Sequence, residues 1–232
     1  MKIIISPSKT MKIQGQTILK NQALLYPEKN QELLSLLQSF NKEELKSIMK
    51  IKNRLLDETY SNLQNYDNLP FFKAFDAFYG LVYKGLQKEL YHEEEYEYIN
   101  KNIVILDAFY GLLLPGNLIK QYRLDMKMKI GVNLYQFWDV TPYFKDEQII
   151  NLASQEFSKM INHKKMVNIS FLEHRGDSYV NLTTYSKQAR GKFLNFLIIN
   201  KITEISAFQK FNEDNYTFNK ELSSDLEFVF TR

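Results

Sequence analysis

Three cations and a glycine crowd one stretch of this chain: Lys187, Arg190, Gly191 and Lys192, directly after Ser186. Ala189, Phe193 and Leu197 follow helical spacing, which predicts a helix capped by Ser186 and running to about residue 200. Cations near a helix N-terminus oppose the macrodipole. Backbone N–H groups combined with lysine and arginine instead form a site for a phosphate or carboxylate. Gly191 would let a ligand or another backbone approach closely. The alternative is a solvated basic turn. A second polar turn, Ser-Pro-Ser-Lys-Thr at 6–10, ends in Lys9 and Thr10 like a Walker loop that lacks its glycines.

Other chemistries are excluded or unsupported. His92, His163 and His174 stand apart from one another without HxxxH or HExxH spacing, so no metal site is expected. No Gly-x-Ser-x-Gly and no dinucleotide glycine loop occurs. The absence of cysteine excludes disulfides, thiol peroxidase chemistry and iron–sulfur ligation. No cofactor is expected. The carboxylates at 93–95 could bind iron, but the Glu-x-x-His pairing of di-iron helices is missing.

The hexapeptide Asp-Ala-Phe-Tyr-Gly-Leu occurs twice, at 76–81 and 107–112. Each copy follows an apolar stretch, so strands are expected at 74–78 and 103–106. Gly80 and Gly111 would mark turns out of core strands, beside Tyr83 and Tyr110. The second junction is the stronger functional candidate. Leu-Pro-Gly at 114–116 follows it and is similar to the hairpin of helix-hairpin-helix motifs, whose exposed amides contact DNA phosphates. The second hairpin glycine would fall at Leu118, so a structural turn is the alternative.

Residues 2–5 read as a buried strand and 28–40 as a helix. Asn-Lys-Glu-Glu at 41–44 is a capping box opening a helix with Leu45, Ile48 and Leu55 on one face. Residues 92–97 form a charged, solvated helix. Residues 147–161 carry Ile150, Ala153 and Phe157 at helical spacing. A glycine turn at 175–178 joins two β-rich runs as a hairpin, and its Arg-Gly-Asp triplet is turn chemistry. Residues 226–230 close the chain as a strand. Strands and helices interleave over 232 residues without a proline- or glycine-rich linker, so one mixed α/β domain is expected over 1–232. A content of 44% hydrophobic and 14% aromatic residues supplies a packed core. No apolar run reaches the ~20 residues of a membrane span. A net charge of +3 permits an anionic partner without demanding one.

Several blocks, in order, resemble the YaaA family of bacterial peroxide-stress proteins over essentially the full length. They are Ile-Ile-Ser-Pro-Ser-Lys-Thr at 4–10, Phe-Tyr-Gly-Leu-Val-Tyr at 78–83, Tyr-Gly-Leu-Leu at 110–113 and Tyr-Arg-Leu-Asp-Met at 122–126. Leu-Tyr-Gln-Phe-Trp at 134–138, Asn-Leu-Ala-Ser at 151–154 with Glu156, and Lys-Gln-Ala-Arg-Gly at 187–191 continue the pattern, which closes on Phe-Val-Phe at 228–230 with Arg232. The resemblance implies a cytoplasmic protein that limits free iron, and hence oxidative damage, under hydrogen peroxide. It implies a family-specific mixed α/β fold with a positively charged cleft, a helix-hairpin-helix-like element and DNA as partner, bound through its backbone without sequence preference. It settles no enzymatic activity; a non-enzymatic DNA-binding protein is expected, with an enzyme acting on a small anionic molecule as the alternative.

The matching polar residues are Ser6, Lys9, Thr10, Tyr83, Tyr110, Arg123, Asn151, Ser154, Glu156, Lys187 and Arg190. Of these, Lys9, Thr10, Arg123, Lys187 and Arg190, with Gly191 and Lys192, are the expected anion or nucleic-acid ligands. Ser6, Tyr83, Tyr110, Gly111, Asn151, Ser154 and Glu156 are further cleft candidates. Two departures stand out: Leu81 where the family has aspartate, and Leu-Pro-Gly-Asn at 114–117 where it has Arg-Pro-Leu-Asp.

Overall fold

A computed structural model describes residues 1–12 and 17–232. In chain order the first half comprises β1 (Lys2–Ile5), α1 (Pro27–Ser39), α2 (Lys42–Met49), α3 (Asn53–Gln64), β2 (Phe72–Lys73), α4 (Ala74–Ala77), α5 (Glu93–Asn102), β3 (Ile103–Asp107), β4 (Gly111–Leu113) and β5 (Leu118–Ile119). There follow α6 (Leu134–Phe137), β6 (Ile149–Asn151), α7 (Gln155–Ser158), β7 (Met166–Arg175), β8 (Ser178–Val180), α8 (Thr183–Ile199), β9 (Thr217–Phe218) and β10 (Glu227–Thr231).

Ile3, Ile4 and Ile5 are all fully buried. A strand apolar on both faces belongs in the interior of a parallel sheet, where elements cover both sides. β1 occupies that place, pairing parallel with β3 through Ile3–Ile103 and with β6 through Ile3–Ile150. The sheet runs β4-β3-β1-β6-β7-β10-β9, with β8 paired to β7. β3, β1, β6, β7 and β10 are parallel; β4, β8 and β9 are antiparallel additions. α5 packs on β1 and β3, α8 on β7, and the two helices on each other. This is one mixed α/β domain with a mostly parallel sheet flanked by helices.

The topology makes one crevice. The chain leaving β1 returns as β3 on one side of it. The chain leaving β6, the neighbour on the other side, returns as β7, farther away. Two adjacent parallel strands thus send their continuations apart, and open sheets bind ligands at the carboxyl ends of such a pair.

Several elements differ from the sequence reading. The apolar spacing at 147–161 belongs to no single helix: Ile149 and Ile150 form β6, and only Gln155–Ser158 is helical, as α7. Both isoleucines are fully buried, as an interior parallel strand requires, and that burial mimics a helical stripe. Residues 74–77 form α4 rather than a strand, and Phe78 makes only an isolated bridge to Met11. The capping box of α2 is formed, with Asn41 accepting from Glu43 and Glu44 and the Glu44 carboxylate accepting from Asn41 N–H. The helix nevertheless stops at Lys50, whose φ is +53°, and α3 begins afresh, leaving Leu55 43% exposed. α8 starts at Thr183, so Ser186 lies inside the first turn instead of capping it. The turn at 114–117 joins two short strands, β4 and β5, not two helices. Buried Asn117 ties it down, accepting from Leu114 N–H at 2.6 Å and donating to the carbonyls of Gln22 and Ala23.

Candidate functional site

At the carboxyl ends of β1 and β6 lies a cleft of about 550 Å³, within the ~300–1,000 Å³ range of small-ligand sites. Ser6, which follows β1, is locked to Ser154, which follows β6: the Ser154 N–H donates to Ser6 Oγ at 2.8 Å and Ser6 Oγ donates to Ser154 Oγ at 3.3 Å. Asn151 shapes the same loop from behind, accepting from Ala153 N–H at 2.9 Å and donating to Asn168 at 2.8 Å. Tyr83 closes the floor by donating to the Ser6 carbonyl at 2.9 Å.

The walls are chemically unlike. α8 presents Thr183, Lys187 and Arg190 to the cleft, residues spaced four and three apart and therefore on one helical face. Lys9, Arg123 and Lys127 bring the lining cations to five, against the carboxylates of Asp125 and Glu156. Lys9 is held by Asp125 at 2.5 Å on the exposed side. The Nε groups of Arg123 and Arg190 are buried and have no hydrogen-bond partner among the described residues. Burial lowers the Arg190 pKa, with Glu227 opposing the shift, yet a guanidinium remains charged at neutral pH. A buried donor without an acceptor costs about 1–3 kcal/mol, more when charged, and an anion in the cleft would relieve both. The apolar part of the lining is Leu81, Val82, Leu152 and Phe157.

Tyr83 and Tyr122 also line the cleft, and burial pushes both hydroxyls well above the usual tyrosine range. Tyr83 donates to Ser6 and Tyr122 to the Asp107 carboxylate. Both therefore act as fixed neutral groups at physiological pH, with their protons committed.

Ser6, Lys9, Tyr83, Arg123, Ser154, Glu156, Lys187 and Arg190 thus meet in one place. The other candidates lie elsewhere. Thr10 is exposed outside the lining, and Lys192 points away to an ion pair with Asp214 at 2.5 Å. Gly191 admits a backbone, not a ligand: α8 crosses so close to the Val82–Gly85 turn that a Cβ on Gly191 would strike the Val82 carbonyl. Tyr110 is buried, bonded to the Tyr66 hydroxyl at 2.6 Å, and Gly111 packs under Trp138.

The family described as peroxide stress protein YaaA matches residues 1–222. The chain belongs to the YaaA family. Relatives named UPF0246 protein extend the match. One from Fusobacterium nucleatum is 42% identical over 247 residues, covering 100% of this chain and 99% of the relative. Another from Agathobacter rectalis is 35% identical over 248 residues, with 100% and 99% covered. A third from Francisella philomiragia is 32% identical over 255 residues, with both chains covered completely.

Against the YaaA pattern, the departure at Leu81 falls on the cleft wall, whereas the departure at 114–117 falls on a buried turn outside it. Sequence reasoning missed Tyr122, Asp125, Lys127, Phe157 and Thr183. Three of these carried a signal: Tyr122 and Asp125 stand beside Arg123 within one family block, and Thr183 stands four residues before Lys187.

Proposed function

We propose that this protein serves the peroxide-stress response by binding DNA through its phosphates, without reading sequence. The convergence of Lys9, Arg123, Lys127, Lys187 and Arg190 on one crevice, with the buried Nε atoms of both arginines lacking an acceptor among the described residues, carries this reading. Phosphate suits these groups, because arginine binds its oxygens in a bidentate fork. Phosphate contacts position a protein on DNA without specifying bases. Titrating labelled duplex and branched DNA at several salt concentrations tests the proposal. Affinity is expected to fall steeply with salt, and Lys187→Ala with Arg190→Ala to reduce the logarithmic slope by about 2. Absence of binding at low salt, or indifference to the double variant, would overturn it.

One observation favours a second reading. The cleft has the volume of a small-molecule site, and Glu156 stands in its lining as a candidate acid or base. In that case a free phosphorylated compound would bind or turn over, and DNA would not compete with it.

The iron-limiting role and a cytoplasmic location are proposed from family membership alone. Among the described residues no three metal-ligating side chains come together, and no helix is long and apolar enough to cross a membrane.

A further inference from the structure

A smaller recess of about 50 Å³ adjoins the cleft against α3. Lys9, Tyr122 and Arg123 line both spaces, so the recess and the cleft adjoin along these three residues. α3 borders the recess with Thr59 and Asn62, and the segment after β5 adds Gln121. The Thr59 hydroxyl is used on its own helix, donating to the Leu55 carbonyl at 2.7 Å. Asn62 and Gln121 form no side-chain hydrogen bond among the described residues, which leaves two amides to meet a ligand. The one acidic lining group, Glu58, is engaged by Arg54 at 2.6 Å.

We propose that this recess is a second anion subsite, so that the ligand is a nucleic-acid strand of at least two nucleotides, with successive phosphates on either side of Arg123. The inference rests on the reading of the cleft as a phosphate site. The volume fits: the recess has room for roughly three or four waters, the bulk of a phosphate group and too little for a base. The donors fit as well. A guanidinium offers five N–H groups and one phosphate fork takes two of them, so Arg123 retains donors for a neighbour. The cleft is large enough for a whole nucleotide, its base against the wall of Leu81, Val82 and Phe157 and its phosphate toward the cations.

Calorimetric titration with thymidine 5′-monophosphate and with 5′-phosphorylated dithymidylate separates the two compartments. The dinucleotide is expected to bind native protein about tenfold more tightly than the mononucleotide. Gln121→Glu, which places a negative charge at the recess, and Asn62→Trp, which fills it, should each abolish that gain. Asn62→Trp should leave mononucleotide affinity within about twofold, since Asn62 does not line the cleft, and Gln121→Glu should weaken the dinucleotide more than the mononucleotide. Equal affinity for the two ligands in native protein, or a gain that survives in both variants, would overturn the subsite while leaving the cleft reading intact. Failure of the mononucleotide itself to bind would remove the cleft reading and this inference together.

Discussion

The two copies of Asp-Ala-Phe-Tyr-Gly-Leu share every residue and almost nothing of their structure. In the first copy, Asp76 lies inside the four-residue helix α4, and its carboxylate meets Thr17 and, at 3.4 Å, the Lys88 ammonium. In the second, Asp107 ends β3 and is fully buried with no cation beside it, accepting instead from Phe109 N–H, Tyr110 N–H and Tyr122. Tyr79 is half-buried beneath two ammonium groups, Lys12 and Lys84, each 4.7 Å from its ring. Tyr110 is sealed in the core. Leu81 lines the cleft, while Leu112 is buried in β4. Pairing with β1 imposes extension on all of β3 up to 107, whereas before 76 only the two residues of β2 are paired, with β5, and the chain turns helical at Ala74. Tertiary context therefore overrides identical local propensity. The copy that resembled a core junction with chemistry is structural, and the first copy supplies the cleft wall.

The largest expected effect separates the two glycines. Gly111 has φ +75°, and a Cβ there would sit 2.6 Å from the Trp138 ring. Gly111→Ala should cost on the order of 3 kcal/mol or more through backbone strain plus overpacking. At Gly80 the obstacle is the movable Ser8 hydroxyl at 2.7 Å, so Gly80→Ala should cost under about 1 kcal/mol. Denaturant midpoints measure both, and equal losses would break the contrast.

Next comes pH. Burial raises the Asp107 carboxyl from 3.8 to about 6. A raised carboxyl favours the folded state while protonated, so its contribution is full below about 3.8 and is lost as pH rises through about 6, on the order of 3 kcal/mol in all. Asp107→Asn removes that titration. The stability of the variant relative to native protein should rise between pH 4 and pH 7, and a flat difference would refute the assignment.

The smallest effect concerns ligand. Leu81→Asp, which restores the family's acidic group, should weaken DNA binding about fivefold at low salt, less at high salt, with an unchanged melting temperature. Unaltered affinity would remove Leu81 from the binding surface.

What the sequence revealed of this molecule follows signal strength. β1, the α2 capping box, the glycine hairpin between β7 and β8 and the cationic face of α8 rest on local patterns that the fold preserves. β6 was hidden because three residues buried on both faces have no period to read. The end of α2 was hidden because nothing local demands that Lys50 turn left-handed. The cleft itself is a product of strand order. Arg123 and Arg190 meet there from positions far apart in the chain, and only the ordered family blocks placed them in one set.

The position of β1 at the heart of the sheet also sets a schedule for the nascent chain. Its two neighbours are completed only at residues 107 and 151, so β1 waits for the first to cover one edge and for the second to cover the other. At roughly 5–20 residues per second the second edge stays uncovered for about 7 to 29 seconds after β1 is made. Contacts of such sequence separation fold slowly. The same strand that founds the cleft thus spends part of synthesis with unpaired edges.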